Sequence, residues 1–249
     1  MDVERIYLER LRSGSYRDFT KLYESYASRL YAFALHLTHS DALAKDIVQE
    51  TFIKVWVRRE QIDLDMSFSA FLFTMAKNQL LNEFRRQAYW TYFSGAAGYT
   101  YGNNAIWQMY KPGGKYHVPC LTFWDGALDR PGAECMRYVK SLFTMYPLDR
   151  FRPDLSVLFG INYNDASYIT PVLAKDKTFI LVYLSQGQDV RIQMSKLRSL
   201  GKAYWFNPRN GARTLIGPVE NKGIRTFNAP GEAGERGNDW ILILEADDR

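Results

Sequence analysis

The first ninety residues hold almost no turn-forming residues. Of 17 glycines only Gly14 lies before Trp90, and all 9 prolines lie at or beyond Pro112. A segment that long without turn residues excludes a sheet of short strands and leaves helix as its structure. Cysteine is scarce. Cys120 and Cys135 are the 2 present, with no CxxC pair and no histidine at ligand spacing, so neither a disulfide framework nor a zinc site is indicated. The chain calls for no metal and no cofactor. No apolar run approaches the ~18 residues of a membrane span, and the opening MDVERIYLERLRSGS has no apolar signal core. A cytoplasmic protein with no membrane partner is expected. Nor is charge of one sign concentrated: +5 over 249 residues permits a nucleic-acid partner without announcing one. What is abundant is apolar side chain, 47% of residues with 15% aromatic, enough to bury a sizeable core.

From Tyr16 the positions Phe19, Leu22, Tyr23, Tyr26, Leu30, Phe33, Ala34 and Leu37 recur at spacings of three and four, as one face of an amphipathic helix does. Ser40 or Asp41 is a fitting N-cap for a second helix, with Ala44, Ile47, Val48, Phe52 and Val55 as its apolar stripe. Asp65 or Ser67 opens a third, with Phe68, Phe71, Leu72, Met75 and Leu80. This third helix is expected to run without a break to about Ser94, with Gly95 as its stop. Past Trp90 the grammar changes. Ala96 to Gly102 is β-prone, and Pro131 to Met145 reads as a helix with proline in its first turn, a strand-then-helix unit. From about Ser167 the runs YITPVLA, TFILVYL, VRIQMSKL, AYWFNP, RTLIGPVE, IRTFNAP and DWILILEA are separated by turn residues, the signature of an all-β sandwich or barrel.

The strings DALAKDIVQETFIKVWVRRE and SFSAFLFTMAKNQLLNEFRR, in that order and spacing, closely resemble region 2 of extracytoplasmic-function sigma factors over about residues 5 to 86. The resemblance implies a helical domain that docks on the clamp helices of the largest subunit of core RNA polymerase and opens the promoter −10 element. It also admits an anti-sigma factor as a partner. The docking helix matches Asp41 to Arg58. There Asp46, Gln49 and Glu50 share one polar face by their spacing, while Phe52, Val55 and Trp56 pack inward or fill a partner groove. The third helix matches the promoter-reading element, and Lys77, Asn78, Asn82, Arg85 and Arg86 are its candidate DNA contacts. Amides can pair with the edge of an extruded base, and Arg and Lys can hold phosphates. The loop Glu60 to Met66 matches the base-capturing loop, or is a plain acidic connection between helices. Nothing after Arg86 resembles the second, helix-turn-helix domain of such factors.

GAAGYTYGNNAIWQMY, WDGALDRPGAECMRYVKSLF, KAYWFNPRNG and DWILILEA resemble instead the C-terminal part of apiosidase-like glycoside hydrolases, from about Gln87 to Asp248. That family joins a barrel to a β-sandwich of the kind labelled collagen-binding. The resemblance implies that only the last barrel strand and helix remain, since a whole barrel takes about 250 residues. Glycosidic hydrolysis needs two carboxylates flanking the bond. In the family these sit on strands upstream of Gln87, where the sigma-like segment stands, so a non-enzyme with no catalytic residue is expected. Asp125, Asp129 and Glu134 read as capping or surface carboxylates. Tyr101, Asn103, Trp107 and Gln108 fall at the C-terminal end of the last barrel strand, where Tyr101, Trp107 and Gln108 are either vestigial sugar contacts or ordinary packing residues. Trp205 and Trp240 are expected in the sandwich core. No carbohydrate partner is expected.

The fold class expected is therefore multidomain α + β: a helical bundle at 1–87, a remnant of the last β/α unit at 88–158 and an all-β sandwich at 159–249. The remnant, short of neighbours, is expected to expose Phe93, Ile106 and Phe143. Three readings stand side by side: a transcription-initiation protein carrying a passenger or sensory module, a non-catalytic carbohydrate-active remnant, and a chimera of two gene fragments arising by recombination or misassembly.

Overall fold

The computed structural model describes residues 3–38, 40–100, 102–118, 120, 122–232 and 237–247. It is a mixed α + β structure of two compact units, Met1–Leu81 and Asn82–Arg249.

In the first unit, helix α1 (Val3–Arg12) ends where the lone early glycine permits it. Gly14 takes φ +87°. The Gly14 and Ser15 amides donate to the Leu11 and Arg10 carbonyls at 2.8 and 2.9 Å, a Schellman closure that β-carbon-bearing residues adopt only at a cost. Ser15 then accepts from the Asp18 amide, opening α2 (Tyr16–Thr38). Ser40 caps α3 (Asp41–Val57) by accepting from Leu43, which decides between the two expected cap residues. Ser67 does the same for α4 (Phe68–Phe93) through the amide of Ala70. The unit's core is built from Leu22, Tyr26, Leu30 and Ala34 of α2, Ala44, Ile47 and Val55 of α3, and Phe68, Leu72 and Ala76 of α4. Rings of α2 meet those of α4 edge-on, Tyr26 on Phe68 and Phe33 on Phe73.

The boundary between the units falls inside α4, between Leu81 and Asn82. The helix runs unbroken to Phe93, and Gly95, at φ +94°, stops it with the same closure used at Gly14: its amide donates to Tyr92 and that of Ala96 to Thr91.

The expected barrel strand is corrected. Residues 96–100 are irregular, followed by the short helix α5 (Asn104–Trp107). A parallel barrel strand exists only by pairing with neighbours on both sides, and no such neighbours are present among the described residues. Helix α6 (Pro131–Met145) forms as expected.

The β-rich part differs from a free-standing sandwich. Strands β1 (Phe151–Pro153), β2 (Thr170–Ala174), β3 (Phe179–Leu184), β5 (Gly201–Phe206), β6 (Arg213–Val219) and β8 (Trp240–Ala246) form one antiparallel sheet in the order β1-β2-β3-β8-β5-β6. Strands β4 (Val190–Gln193) and β7 (Ile224–Phe227) pair as a second, two-stranded sheet. Ile180, Val182, Leu184, Leu242 and Leu244 of the large sheet share a core with Val190, Ile192 and Phe227 of the small one. From the opposite face Leu181, Tyr183, Ile241 and Ile243 share a core with Ala88, Tyr89 and Phe93 of α4 and Val139 and Leu142 of α6. Residues expected to form a separate remnant are thus the third layer of this unit. Burial on both faces is why FILVYL reads as an unbroken apolar run. It also corrects the expected exposed patch: Phe93 is fully buried, Phe143 packs half-buried against the helix–sheet core, and Ile106 is half-buried.

At the centre of the helix–sheet layer lies a buried polar cluster. Arg85 grips Asp239 with Nε at 3.1 Å and Nη2 at 2.8 Å. Asp239 is 0% exposed and Arg85 5%. Burial alone would lower the Arg85 pKa, but the charge of Asp239 and its hydrogen bonds hold it above the ordinary value. The Tyr183 hydroxyl lies 3.4 Å from the same carboxylate, and the Tyr89 ring stacks on Tyr183 at 5.1 Å. Burial, reinforced by the Asp239 charge, raises both tyrosine pKa values well above 10.0. Tyr146 is raised likewise, by burial and by its hydrogen bond to Glu245 at 2.5 Å.

Two outcomes follow. A β-carbon on Gly201 would stand 1.8 Å from the Glu245 carbonyl oxygen of the neighbouring strand, so Gly201→Ala should destabilise the second unit by about 3 kcal/mol in urea titrations. Because the folded pKa values of Tyr89, Tyr146 and Tyr183 exceed the unfolded 10.0, their contribution is complete below pH 10 and is lost as pH rises above it. Tyrosinate absorbance from these three should appear together with unfolding of the unit rather than ahead of it.

Candidate functional site

The first unit carries a groove of about 800 Å³ between α2 and α3. Its walls come from a second stripe on α2, Tyr16, Phe19, Tyr23, Ala27 and Tyr31, running beside the core stripe Leu22, Tyr26, Leu30 and Ala34. From α3 come Val48, Gln49, Phe52, Ile53 and Trp56. The aromatic floor is fixed by edge-on contacts: Tyr23 on Phe52 at 4.8 Å, and Trp56 on Phe19 at 5.3 Å and Tyr16 at 5.9 Å. Tyr16 and Ile53 remain 70% and 48% exposed, an unusual amount of apolar surface for one short face. Arg59 lies over the Trp56 ring at 5.0 Å.

At one end of the groove Asp41 accepts from the Tyr31 hydroxyl at 2.6 Å and from Lys45 at 2.8 Å. These two hydrogen bonds, that of Lys45 first, hold the Asp41 carboxyl below its ordinary pKa, and Lys45 is raised in return. The groove therefore has an apolar floor, a cationic end at Lys45 and an amide at Gln49. Such a surface accepts an amphipathic helix.

Of the expected polymerase-binding residues, Gln49, Phe52 and Trp56 line the groove. Asp46 is exposed and Glu50 half-buried on the same helix, neither among the lining residues. Phe52 forms floor rather than protruding knob, being 2% exposed. Tyr16, Tyr31 and Ile53 were not singled out from sequence. Their signal is a doubling of the helical stripe on α2, two adjacent rows at spacings of three and four instead of one.

The expected DNA-contact stripe is divided. Lys77 and Asn78 are exposed. Asn82 is 1% exposed, its Oδ1 accepting from Arg85 at 3.4 Å, and Arg85 is engaged by Asp239. Arg86 is half-buried, ion-paired with Glu83 and set over the Trp90 ring at 4.9 Å. Buried Asp239 requires a counter-charge, and Arg85 supplies it, so neither Arg85 nor Asn82 faces solvent in this conformation. In the loop Glu60 to Met66, Arg59–Gln61 form a 3₁₀ turn and Ile62 is buried, while Asp65 pairs with Arg5 at 3.6 Å.

In the second unit, Tyr101 lies outside the described residues. Trp107 is exposed, its Nε1 donating to Asn104. Asn103 caps α5 through the amide of Ala105. Gln108 has both ends of its amide occupied: Nε2 donates to the carbonyls of Asn104 at 2.9 Å and Val118 at 3.0 Å, and Oε1 accepts from the amides of His117 at 2.6 Å and Val118 at 3.0 Å. Gln108 thus clasps a loop, and its amide is not free to meet a sugar hydroxyl. Asp125 and Asp129 are exposed. Glu134 accepts from Tyr138 at 2.9 Å and pairs with Arg137 at 2.9 Å, one helical turn away in each case. Trp205 is buried in the sheet–sheet core, with half-buried Trp240 edge-on to it at 6.2 Å. Cys135 is buried and Cys120 half-buried, both as free thiols. Among the described residues no group of His, Cys, Asp and Glu is clustered to hold a metal, and no helix is long and apolar enough to cross a membrane.

Comparison with known proteins finds different likenesses along the chain. Residues 152–245 match the family described as "Putative collagen-binding domain of a collagenase", and residues 46–149 the family described as "Apiosidase-like, catalytic domain". The second match begins well upstream of Gln87, where the sequence reading starts its hydrolase-like segment, and so includes Arg85. The ECF RNA polymerase sigma factor SigL of Mycobacterium tuberculosis is 43% identical over 68 residues, 27% of this chain and 38% of that protein. The RNA polymerase sigma factor CarQ of Myxococcus xanthus is 31% identical over 80 residues, 32% of this chain and 46% of that protein. Among solved structures, a glycoside hydrolase superposes with a TM-score of 0.60 at 29% identity, over 68% of this chain and 37% of that one. A glycoside hydrolase family 5 protein from Bacteroides vulgatus superposes with a TM-score of 0.58 at 30% identity, over 67% of this chain and 36% of that one. The chain spans less than half the length of each of these relatives. It is a chimera, joining a segment similar to ECF sigma factors to apiosidase-like and collagen-binding-type domains similar to those of glycoside hydrolases.

Proposed function

We propose that the first unit is a polymerase-docking module, and that the groove between α2 and α3 seats a helix of core RNA polymerase. The observation that carries this reading is the aromatic groove itself. An apolar floor of about 800 Å³ with Tyr16 and Ile53 exposed is costly in water, and a helical partner would desolvate it. The sigma-factor similarity supplies the identity of the partner, and promoter −10 DNA is the second partner on this reading. The setting is then cytoplasmic. Trp56, braced by Phe19, Tyr16 and Arg59, has the features of an interface anchor: large, half-buried and rigid.

The second unit, on the same reading, is a non-catalytic passenger. Hydrolysis of a glycosidic bond needs an acid and a base or nucleophile on opposite sides of the bond. Glu134 is tied to Tyr138 and Arg137 on its own helix, while Asp125 and Asp129 sit exposed in the segment before it. None of the three is buried.

The full chain should bind purified bacterial core RNA polymerase. Trp56→Ala or Ile53→Asp should weaken binding by on the order of ten-fold or more, and failure of the unaltered chain to bind would overturn the reading. On apiose-containing pectin the chain should release no sugar. Release that disappears on substituting Asp125, Asp129 or Glu134 would show that an acid–base pair survives.

A further inference from the structure

Asn78, Asn82 and Arg85 recur at spacings of four and three along α4, yet that stripe changes character partway along. Lys77 and Asn78 are exposed, whereas Asn82 and Arg85 belong to the second unit and are buried in it. Every nitrogen of the Arg85 guanidinium is occupied. Nε and Nη2 hold Asp239, Nη2 also reaches Asn82, and Nη1 faces the Cys135 sulfur at 3.9 Å. A phosphate would have to displace an intramolecular carboxylate from a site closed to water, leaving Asp239 charged and unpaired.

Asn82 fits its place poorly. Its Nδ2 is buried without a hydrogen-bond partner, a cost that a buried donor pays in full. An amide suited to a base edge is spent here on one long bond to Arg85.

We propose that the second unit locks the strand-reading stripe of α4: the Arg85–Asp239 pair holds Asn82 and Arg85 out of reach of DNA, and only rupture of that pair completes the stripe. This rests on the polymerase-and-promoter reading above, and the lock itself is an intramolecular, autoinhibitory contact. In the closed state Lys77 and Asn78 are presented, while Asn82 and Arg85 are withheld.

The test uses the full chain and a labelled AT-rich single-stranded DNA 12-mer, read by fluorescence anisotropy, with affinity for core polymerase measured separately. Asp239→Asn removes the charge that holds Arg85. It should tighten DNA binding on the order of ten-fold at low salt and steepen the log–log salt dependence by about 0.7 for one added phosphate contact. Affinity and salt slope equal to those of the parent in a folded Asp239→Asn chain would overturn the lock.

Should that variant unfold, alkylation of Cys135, which is buried against Arg85, is followed in the parent chain by peptide mapping. Saturating DNA should speed it several-fold, because the pair must open for Arg85 to reach a phosphate. A rate unchanged at saturating DNA would overturn the lock. A parent chain that does not bind core polymerase would remove the polymerase reading, while the comparison of DNA affinities still decides the lock.

Discussion

Asp239, a carboxylate with no exposed surface at the entrance to β8, sets the terms for the second unit. Burying a carboxylate without a counter-charge costs several kcal/mol. Arg85 meets that demand from α4 with two hydrogen bonds. Once Arg85 is fixed on the sheet, residues one and two turns further along the same helix face follow it: Tyr89 stacks on Tyr183, and Phe93 meets Phe151 and Phe143. The end of α4 thereby becomes a layer of the sheet core. One electrostatic requirement places an entire helical segment.

That placement explains how the helical part of the second unit stays folded against the sheet. A single barrel strand cannot satisfy its backbone without neighbours, and residues 96–100 accordingly do not form one. Their helical companions are retained because helices satisfy their own backbone and need only an apolar face to cover. The large antiparallel sheet offers such a face through Leu181, Tyr183, Ile241 and Ile243. The small β4–β7 sheet covers the other. With both faces occupied, the apolar surface of the large sheet is enclosed.

Much of this was legible in the sequence. Three of the four α-helices that begin in the first ninety residues, the closure at Gly95, the helix opening at Pro131 and seven of the eight strands among the described residues follow from periodicity and turn residues. The three-residue β1 escaped because FRP carries no alternation to read. The layering escaped as well: an apolar run such as FILVYL announces burial on two faces but not whether sheet or helix supplies the second cover. The groove was half legible. A single merged stripe on α2 hid the distinction between Leu22 or Leu30, which face the core, and Phe19 or Tyr23, which line the groove. The least legible fact was the Arg85–Asp239 pair, 154 residues apart in sequence. Nothing local to NEFRRQ distinguishes an arginine that holds a phosphate from one that neutralises a distant buried acid.

The two resemblances make opposite demands on the same half-helix. A strand-reading surface would need Asn82 and Arg85 in solvent, whereas in the second unit both are buried. A guanidinium already gripped by a buried carboxylate cannot hold a phosphate as well, because releasing one partner strands a charge in a low-dielectric core. The groove is under no such conflict. Every residue that lines it, from Tyr16 to Trp56, lies within Met1–Leu81, and its aromatic floor is held by contacts among its own members. The groove and the buried Arg85–Asp239 pair therefore lie in different units and share no residue.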